Sequence, residues 1–223
     1  MLTVHHLENS RSQRILWLLE ELGVEYEIKR YQRDKHTSLA PPELRAVHPL
    51  GKSPVITDGD VTVAESGAIT EYLVAKYGAG RLIPPADTPA RLQYTYWLHY
   101  AEGTFMPLMV MTLVFNRVET APMPFFIKPI AKNIADKVRA NFISPNVKRN
   151  LDFMESTLAT TEWFAGPEMT AADILMSFPV EAAATRSGMA SQYPKLNGFL
   201  QRIHALPAYE RALERGGPYE LLS

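Results

Sequence analysis

Three short stretches of this 223-residue chain hold side chains whose types and spacing could do chemistry: Asn9-Ser10-Arg11-Ser12, His48-Pro49-Leu50-Gly51-Lys52-Ser53-Pro54, and Glu65-Ser66. Ser10 stands ahead of a helical pattern, where a hydroxyl can accept from the helix backbone and still donate its own hydrogen to an anion. Ser12 and, through its amide, Asn9 are further donors in the same loop. Ser66 opens a second helical pattern, and a helix N-terminus beside a strand end presents free N–H groups to a carboxylate. The last two stretches, with the hairpin signal between them, can build a small anion-recognising pocket. Each also has an architectural reading. Ser10-x-x-Gln13 is a capping-box pattern, Pro54 can start a strand where its missing N–H does little harm, and Glu65-Ser66 can be a capped helix entrance.

The elements that must position these residues follow from periodicity. Leu2 to His6 reads as a strand, and Arg11 to Leu22 as an amphipathic helix with Ile15, Leu18, Leu19 and Leu22 on its apolar side, closed by Gly23. Tyr26 to Tyr31 reads as a second strand, and Gln32 to Val47, charged and carrying Pro41-Pro42, as a loop with one short helix. Two short β patterns flank Asp58-Gly59-Asp60, a hairpin signal, and Ser66 stands as N-cap ahead of Ala68, Ile69, Tyr72 and Leu73. The order is βαβαββα. Gly78 to Pro89, with Gly80, Pro84 and Pro85, breaks the pattern, and only helical patterns follow: Ala90–Val118, Ile127–Thr160, Pro194–Leu206 and Ala208–Arg215. Pro107, Pro129 and Pro145 should bend or interrupt the two long ones. The expected organisation is an α+β unit at 1–78, a linker at 79–89 and an all-α unit at 90–223. Within the latter, Thr170-Ala171-Ala172-Asp173 matches a capping box, Thr170 bonding the amide of Asp173 and the carboxylate reaching back to Thr170 N–H, with Met169 and Ile174 as a hydrophobic staple.

Composition removes several function classes. The net charge is −1 and no dense basic cluster stands out, so nucleic acid is not expected as a partner. With no cysteine there are no disulfides, no thiolate metal sites and no cysteine nucleophile. His5 and His6, adjacent on a strand, point to opposite faces, so one should pack and the other meet solvent. With His36, His48, His99 and His204 scattered, no metal site is expected. The N-terminus lacks a signal-peptide pattern, and Phe105 to Phe115 is too short to span a bilayer and contains Pro107. A cytoplasmic protein with no membrane span is expected.

The strings HPLGKSPV and AESGAI, taken with NSRSQRILWLLEELG, MTAADI and the tail PKLNGFLQRIHALPAYERAL, resemble the soluble glutathione S-transferases, most closely a bacterial and fungal group, over nearly the whole chain. The resemblance implies a thioredoxin-like first domain followed by a helical domain, with glutathione as a substrate and no separate cofactor. It implies that Ser53 offers backbone groups to the cysteinyl part of glutathione, with a cis peptide at Ser53-Pro54. Glu65 and Ser66 would hold the γ-glutamyl ammonium and carboxylate, and Lys52 would lie near the glutathione backbone or a terminal carboxylate. The capping box is likewise a family feature of the helical domain.

In that family the loop at Asn9–Ser12 faces the glutathione sulfur. The reactive species is the thiolate, and lowering a thiol from about 8.5 by roughly 1.5 to 2 units requires about 2 to 2.7 kcal/mol. A helix N-terminus supplies ~0.3 to 1 kcal/mol, so a hydrogen bond to sulfur must supply much of the rest. Ser10 is the first candidate donor, Ser12 the second and Asn9 the third; asparagine is associated with relatives that reduce peroxides or disulfides. Tyr100 and Phe105, in an aromatic and Met-rich stretch, are candidates for the wall of a hydrophobic electrophile site, against core packing or a subunit interface. The expected activity is conjugation of glutathione to a hydrophobic electrophile by a homodimer. The rivals are glutathione-dependent peroxide or disulfide reduction on the same site, and non-catalytic binding of glutathione or an apolar ligand.

Overall fold

In a computed structural model, which describes residues 1–34, 37, 39–187, 192–217 and 219, the chain opens with a four-stranded mixed sheet of order β2-β1-β3-β4. β1 (Leu2–Leu7) runs parallel to β2 (Glu27–Tyr31) and antiparallel to β3 (Val55–Asp58), which pairs antiparallel with β4 (Val61–Ala64). The parallel pair is bridged by α1 (Gln13–Leu22), and α2 (Leu44–Val47) and α3 (Ser66–Tyr77) complete the expected βαβαββα order. The hairpin turns at Gly59, whose φ of 61° at the first turn position suits a residue without Cβ. Asp58 at its base accepts from Tyr72, Tyr77 and Lys76 of α3 at 2.8, 2.6 and 2.6 Å. These bonds, with Lys76 and Tyr77 foremost, hold the Asp58 carboxyl down at about 2 and fasten the hairpin to the helix that follows it.

β1 is an inner strand covered on both faces, which corrects one expectation. His5 and His6 do point to opposite sides, but both are buried. His5 meets Tyr31 Oη at 2.9 Å and Thr57 Oγ1 at 3.3 Å, on the face where Leu7, Tyr31 and Leu44 pack together. His6 lies on the α1 side. His36 falls outside the described residues, and among those described no three His, Asp or Glu side chains gather as a metal site.

The second half is helical: α4 (Pro89–Tyr100), α5 (Met106–Thr120), α6 (Lys128–Val138), α7 (Ser144–Thr160), α8 (Ala171–Ser187), α9 (Pro194–His204) and α10 (Pro207–Gly216). The two long patterns are each divided by a π-helical turn, Ala101–Phe105 between α4 and α5 and Arg139–Ile143 between α6 and α7. In each case a proline, Pro107 or Pro145, follows within two residues. Proline cannot donate to the carbonyl four residues back and its ring crowds that carbonyl, so the wider turn relieves the conflict without ending the helix.

α1 is the hinge of the assembly. Ile15, Leu16, Trp17, Leu18 and Leu19 are fully buried, between the sheet on one side and α8 and α10 on the other, each contributing about 1.5 to 3 kcal/mol. Trp17 meets Tyr209 of α10 edge-on at 5.1 Å, and Arg211 and Arg215 bond Glu20 at 2.9 and 2.8 Å. Where α10 ends, a Cβ on Gly216 would fall 2.4 Å from Gln13 Oε1, the mobile end of a side chain, and 3.0 Å from a Leu16 methyl, so α10 and α1 approach closely there.

The capping box before α8 forms in altered form. Asp173 Oδ2 accepts from Thr170 N–H at 2.8 Å, as expected, but the Thr170 hydroxyl also donates to that oxygen, at 2.9 Å, instead of accepting from the Asp173 amide. Asp173 Oδ1 accepts from Phe164 N–H at 2.8 Å. The carboxylate is the hub because it has two oxygens to fill in a fully buried place; that burial pushes its carboxyl up to about 6 against the three bonds.

Candidate active site

The β1–α1 connection turns through Asn9, whose φ is 50°, and α1 starts at Gln13, two residues later than its apolar pattern predicts. The Ser10-x-x-Gln13 capping box does not form. Ser10 Oγ instead accepts from Ser12 N–H at 3.2 Å and lies 2.7 Å from Ser12 Oγ. Ser12 Oγ in turn stands 2.8 Å from His6 Nδ1 and 3.3 Å from the Leu7 carbonyl. The result is a buried chain of polar atoms, Ser10–Ser12–His6, running from the loop back into β1. Burial, with Arg30 nearby, lowers the His6 pKa to about 4 despite an opposing hydrogen bond to the Gly216 backbone, so the ring is neutral at pH 7. Asn9 and Ser10 reach the wall of a cleft of about 500 Å³, whereas Ser12 is fully buried behind Ser10.

On the opposite wall the Gly51-Lys52-Ser53 turn approaches β1. The Ser53 hydroxyl donates to the His5 carbonyl at 2.8 Å and accepts from Leu7 N–H at 3.2 Å, and the Ser53-Pro54 peptide is cis. The side chain of Ser53 is thus engaged in fixing the turn, which leaves its backbone as the part available to a ligand. Lys52 and Ser53 line the cleft; Pro54 is buried beneath them.

Glu65, not Ser66, is the N-cap of α3, with φ 73° and ψ 127° and an exposed side chain. Such a backbone costs a non-glycine residue about 1 to 3 kcal/mol and is most often retained where it aims a functional group. Ser66 is the first helical residue, buried, and accepts from Arg14 Nη2 at 3.2 Å. Arg14 is only 1% exposed; it also donates to the Leu175 carbonyl at 2.6 Å, lies over the Phe178 ring, and pairs with Glu102 of the first π turn. Glu102 reaches Arg11 as well, at 3.3 Å. Burial pushes the Glu102 carboxyl upward, but the guanidiniums of Arg14 and Arg11 outweigh it and hold it below the ordinary range. Sequence reasoning missed both Arg14 and Glu102. The available signal was Arg14 itself, a charged residue four before Leu18 on the stripe of α1 that must face inward.

The cleft also differs from expectation on its apolar side. Phe105 is fully buried, and Tyr100 is buried with its hydroxyl bonded to Asn150; neither lines this cleft. Met106, Val110 and Leu113 of α5, with Phe178 of α8, form that wall instead. The π turn explains the shift, because it changes which residues of the long helix face the sheet. Arg11, Arg33, Arg45 and Lys52 surround the polar end, and no acid is among the described lining residues. A larger cavity, about 650 Å³, sits within the helical half beside Met109, Ile143 and Leu151 and touches none of the candidate residues.

A four-stranded mixed sheet followed by a helical second half agrees with the known proteins to which the chain is similar. Residues 1–75 match the family description "Glutathione S-transferase, N-terminal domain", and residues 118–207 match "Glutathione S-transferase, C-terminal domain". The chain belongs to the glutathione S-transferase family. It is 37% identical to Glutathione S-transferase 3 of Schizosaccharomyces pombe, over 96% of this chain and 88% of that protein. To Glutathione S-transferase 1 of Saccharomyces cerevisiae it is 34% identical, over 96% and 95%. A crystal structure of a glutathione S-transferase from Actinobacillus pleuropneumoniae superposes with a TM-score of 0.82 at 33% identity, covering 100% of this chain and 96% of that one. The protein is therefore an enzyme of the glutathione S-transferase type.

Proposed function

We propose that this glutathione S-transferase binds glutathione along the β1–α1 loop, the Lys52-Ser53 turn and the start of α3, and joins its sulfur to an apolar electrophile held against Met106, Val110, Leu113 and Phe178. The observation that carries the reading is the composition of one cleft: two hydrogen-bond donors at a helix start, four cations and no acid at the polar end, and an apolar wall facing them. Glutathione brings two carboxylates and a sulfur that reacts as an anion, and these suit the polar end; the apolar wall suits the second substrate. Ser10 donates to the thiolate, Ser12 supports Ser10 from behind, and Asn9 is the neighbouring amide donor. Ser53 offers its backbone to the cysteinyl unit, with Pro54 shaping the turn, and Lys52 neutralises a carboxylate. Glu65 and Ser66, at the start of α3, are not among the residues lining that cleft; in this reading glutathione extends to them, Glu65 taking the γ-glutamyl ammonium and Ser66, with Arg14 behind it, the γ-glutamyl carboxylate.

In this reading residues 1–78 bind glutathione, 79–89 connect, and 90–223 supply the electrophile wall. The enzyme works in the cytoplasm as a homodimer, supported by the exposed Leu92, Tyr96 and Phe153 on α4 and α7, with the Tyr96 and Phe153 rings 6.3 Å apart. Sedimentation giving a monomer at micromolar concentration would contradict the dimer. The activity is tested by titrating glutathione against a nitro-activated aryl chloride and, in parallel, an organic hydroperoxide. Saturable conjugation exceeding peroxide reduction is the expected result; peroxide reduction alone would overturn conjugation as the main reaction.

A further inference from the structure

α8 is buried from Ala171 to Ala183, and within that run stands an acid, Glu181. A buried carboxylate has to be met by polar partners. Its Oε1 lies 2.6 Å from Tyr209 Oη of α10 and 3.1 Å from His204 Nε2 of α9, and its Oε2 accepts from Tyr219 Oη at 2.7 Å. Burial, with Glu181 alongside, pushes the pKa of both phenols upward, so both keep the hydrogen they donate. Tyr209 and His204 belong to helices of the bundle, whereas Tyr219 comes from beyond α10. The chain turns towards it through Gly217, whose φ of 86° and ψ of −158° form a backbone that is essentially glycine's alone.

Phe178 stands three residues before Glu181, on the same side of α8. The Tyr219 side chain spans the two, its hydroxyl on Glu181 and its ring centred 6.3 Å from the Phe178 ring. Pro179 has no N–H for the Leu175 carbonyl; Arg14 takes that carbonyl and lies over Phe178, 5.4 Å from the ring centre. Phe178, which lines the cleft, is thus braced by Arg14 and Tyr219. We propose that Tyr219 is a positioning residue for the electrophile site: anchored on Glu181, it fixes the Phe178 ring and so limits the size of the apolar body the cleft accepts. The inference rests on the conjugation reading, in which Phe178 is part of the electrophile wall. A phenylalanine ring turns about two side-chain torsions, and contacts on its flanks select among the allowed settings. Without Tyr219 one of those contacts is gone, and the ring can swing back and widen the wall it shares with Met106, Val110 and Leu113.

The test compares two substrates with the same leaving group, a chlorodinitrobenzene and the wider chlorodinitronaphthalene, and uses the same nitroarenes without chloride as unreactive ligands in calorimetry. Tyr219→Ala should raise the ratio of kcat/KM for the wider over the compact electrophile about 10-fold. The change should fall on KM, with glutathione affinity altered by less than about twofold, which also shows that the variant folds. The unreactive pair should show the same change of preference. A protein that conjugates neither substrate yet shows that change in binding would overturn conjugation and leave this proposal standing. Tyr219→Phe keeps the ring without its anchor and should shift the ratio the same way by roughly threefold. In a Phe178→Ala background, where the wall is already open, Tyr219→Ala should add nothing. An unchanged ratio in both Tyr219 variants, with only a lower melting temperature, overturns the proposal and leaves Tyr219 as a fastening for the chain beyond α10. An equal shift with and without the Phe178 ring also overturns it, because Tyr219 would then act by another route.

Discussion

Removing the Ser10 hydroxyl tests the proposed chemistry most directly. Ser10 Oγ has one hydrogen and two close neighbours, Ser12 N–H at 3.2 Å and Ser12 Oγ at 2.7 Å. If its hydrogen goes to sulfur, the contact with Ser12 must be made by the Ser12 hydrogen, and the 2.8 Å contact behind it by a hydrogen on His6 Nδ1. A bound thiolate therefore draws the hydrogens of the chain one way, from His6 Nδ1 through Ser12 and Ser10 to sulfur, which a neutral His6 with its hydrogen on Nδ1 supplies. Ser10→Ala deletes a charge-assisted bond worth ~1.5 to 3 kcal/mol, so the pKa of bound glutathione should rise by roughly 1 to 2 units. Conjugation at neutral pH should slow roughly 10- to 150-fold, with KM for glutathione changed by less than about threefold. Thiolate absorbance of the complex, titrated with pH, measures the shift directly. Ser12→Ala should move the same titration less and destabilise the fold by about 1 to 3 kcal/mol, because it leaves buried polar atoms unpaired. If Ser10→Ala leaves the titration in place while Asn9→Ala moves it, the sulfur donor is the amide and the reasoning fails.

Other residues give independent outcomes. His6, neutral when folded with a pKa of about 4 against 6.5 unfolded, is protonated first in the unfolded chain; stability is full above pH 6.5 and falls by about 3 kcal/mol towards pH 4. Urea midpoints at several pH values should show this slope, reduced in His6→Gln; an equal slope in the variant would exonerate His6. Glu102→Gln leaves the buried Arg14 without its counter-charge and should cost about 3 kcal/mol of stability, the lower end for a buried pair because Glu102 is 26% exposed. It should also weaken glutathione binding through Ser66, and unchanged calorimetric affinity would uncouple Arg14 from the site. Glu65→Ala should lower glutathione affinity by about 2 kcal/mol, at the low end for an ion pair because the side chain is exposed, with little change in melting temperature; intact affinity in a folded variant removes Glu65 from the γ-glutamyl subsite.

Local signals were strong where backbone geometry and hydrophobic period agree. The βαβαββα order was legible because each strand is short, the Asp58-Gly59-Asp60 turn is unambiguous, and Gly23 marks the end of α1. The change to an all-helical second half was equally plain. What periodicity could not show was burial from two sides. His5 and His6 alternate as strand residues must, yet β1 is covered on both faces, and only the tertiary arrangement of α1 and α2 decides that. Ser10 and Ser12 read as alternatives in the sequence, whereas in the fold they are successive links of one hydrogen-bonded chain. The capping pattern Ser10-x-x-Gln13 misled because Ser12, closer to Ser10 than Gln13, takes its hydroxyl first. Tyr100 and Phe105 were misplaced for a different reason: an aromatic and Met-rich composition does not say which side chains face the core, and the π turn that begins just after Tyr100 resets which residues beyond it face the cleft.

That π turn links helix register to the proposed chemistry. Pro107 cannot donate to the Gly103 carbonyl and crowds it, and the wider turn just ahead of it carries Glu102, which pairs with Arg14 and Arg11. The same offset brings Met106, Val110 and Leu113 to the cleft while Phe105 goes to the core. One backbone irregularity thus sets both the acid behind the proposed glutathione side and the apolar wall of the proposed electrophile side. Glu102 needs Arg14 from the first half of the chain, and Ser66 needs Arg14 held by Leu175 and Glu102 from the second. The polar network is therefore complete only when the two halves are docked, and a change that parts them would disorder the proposed γ-glutamyl subsite.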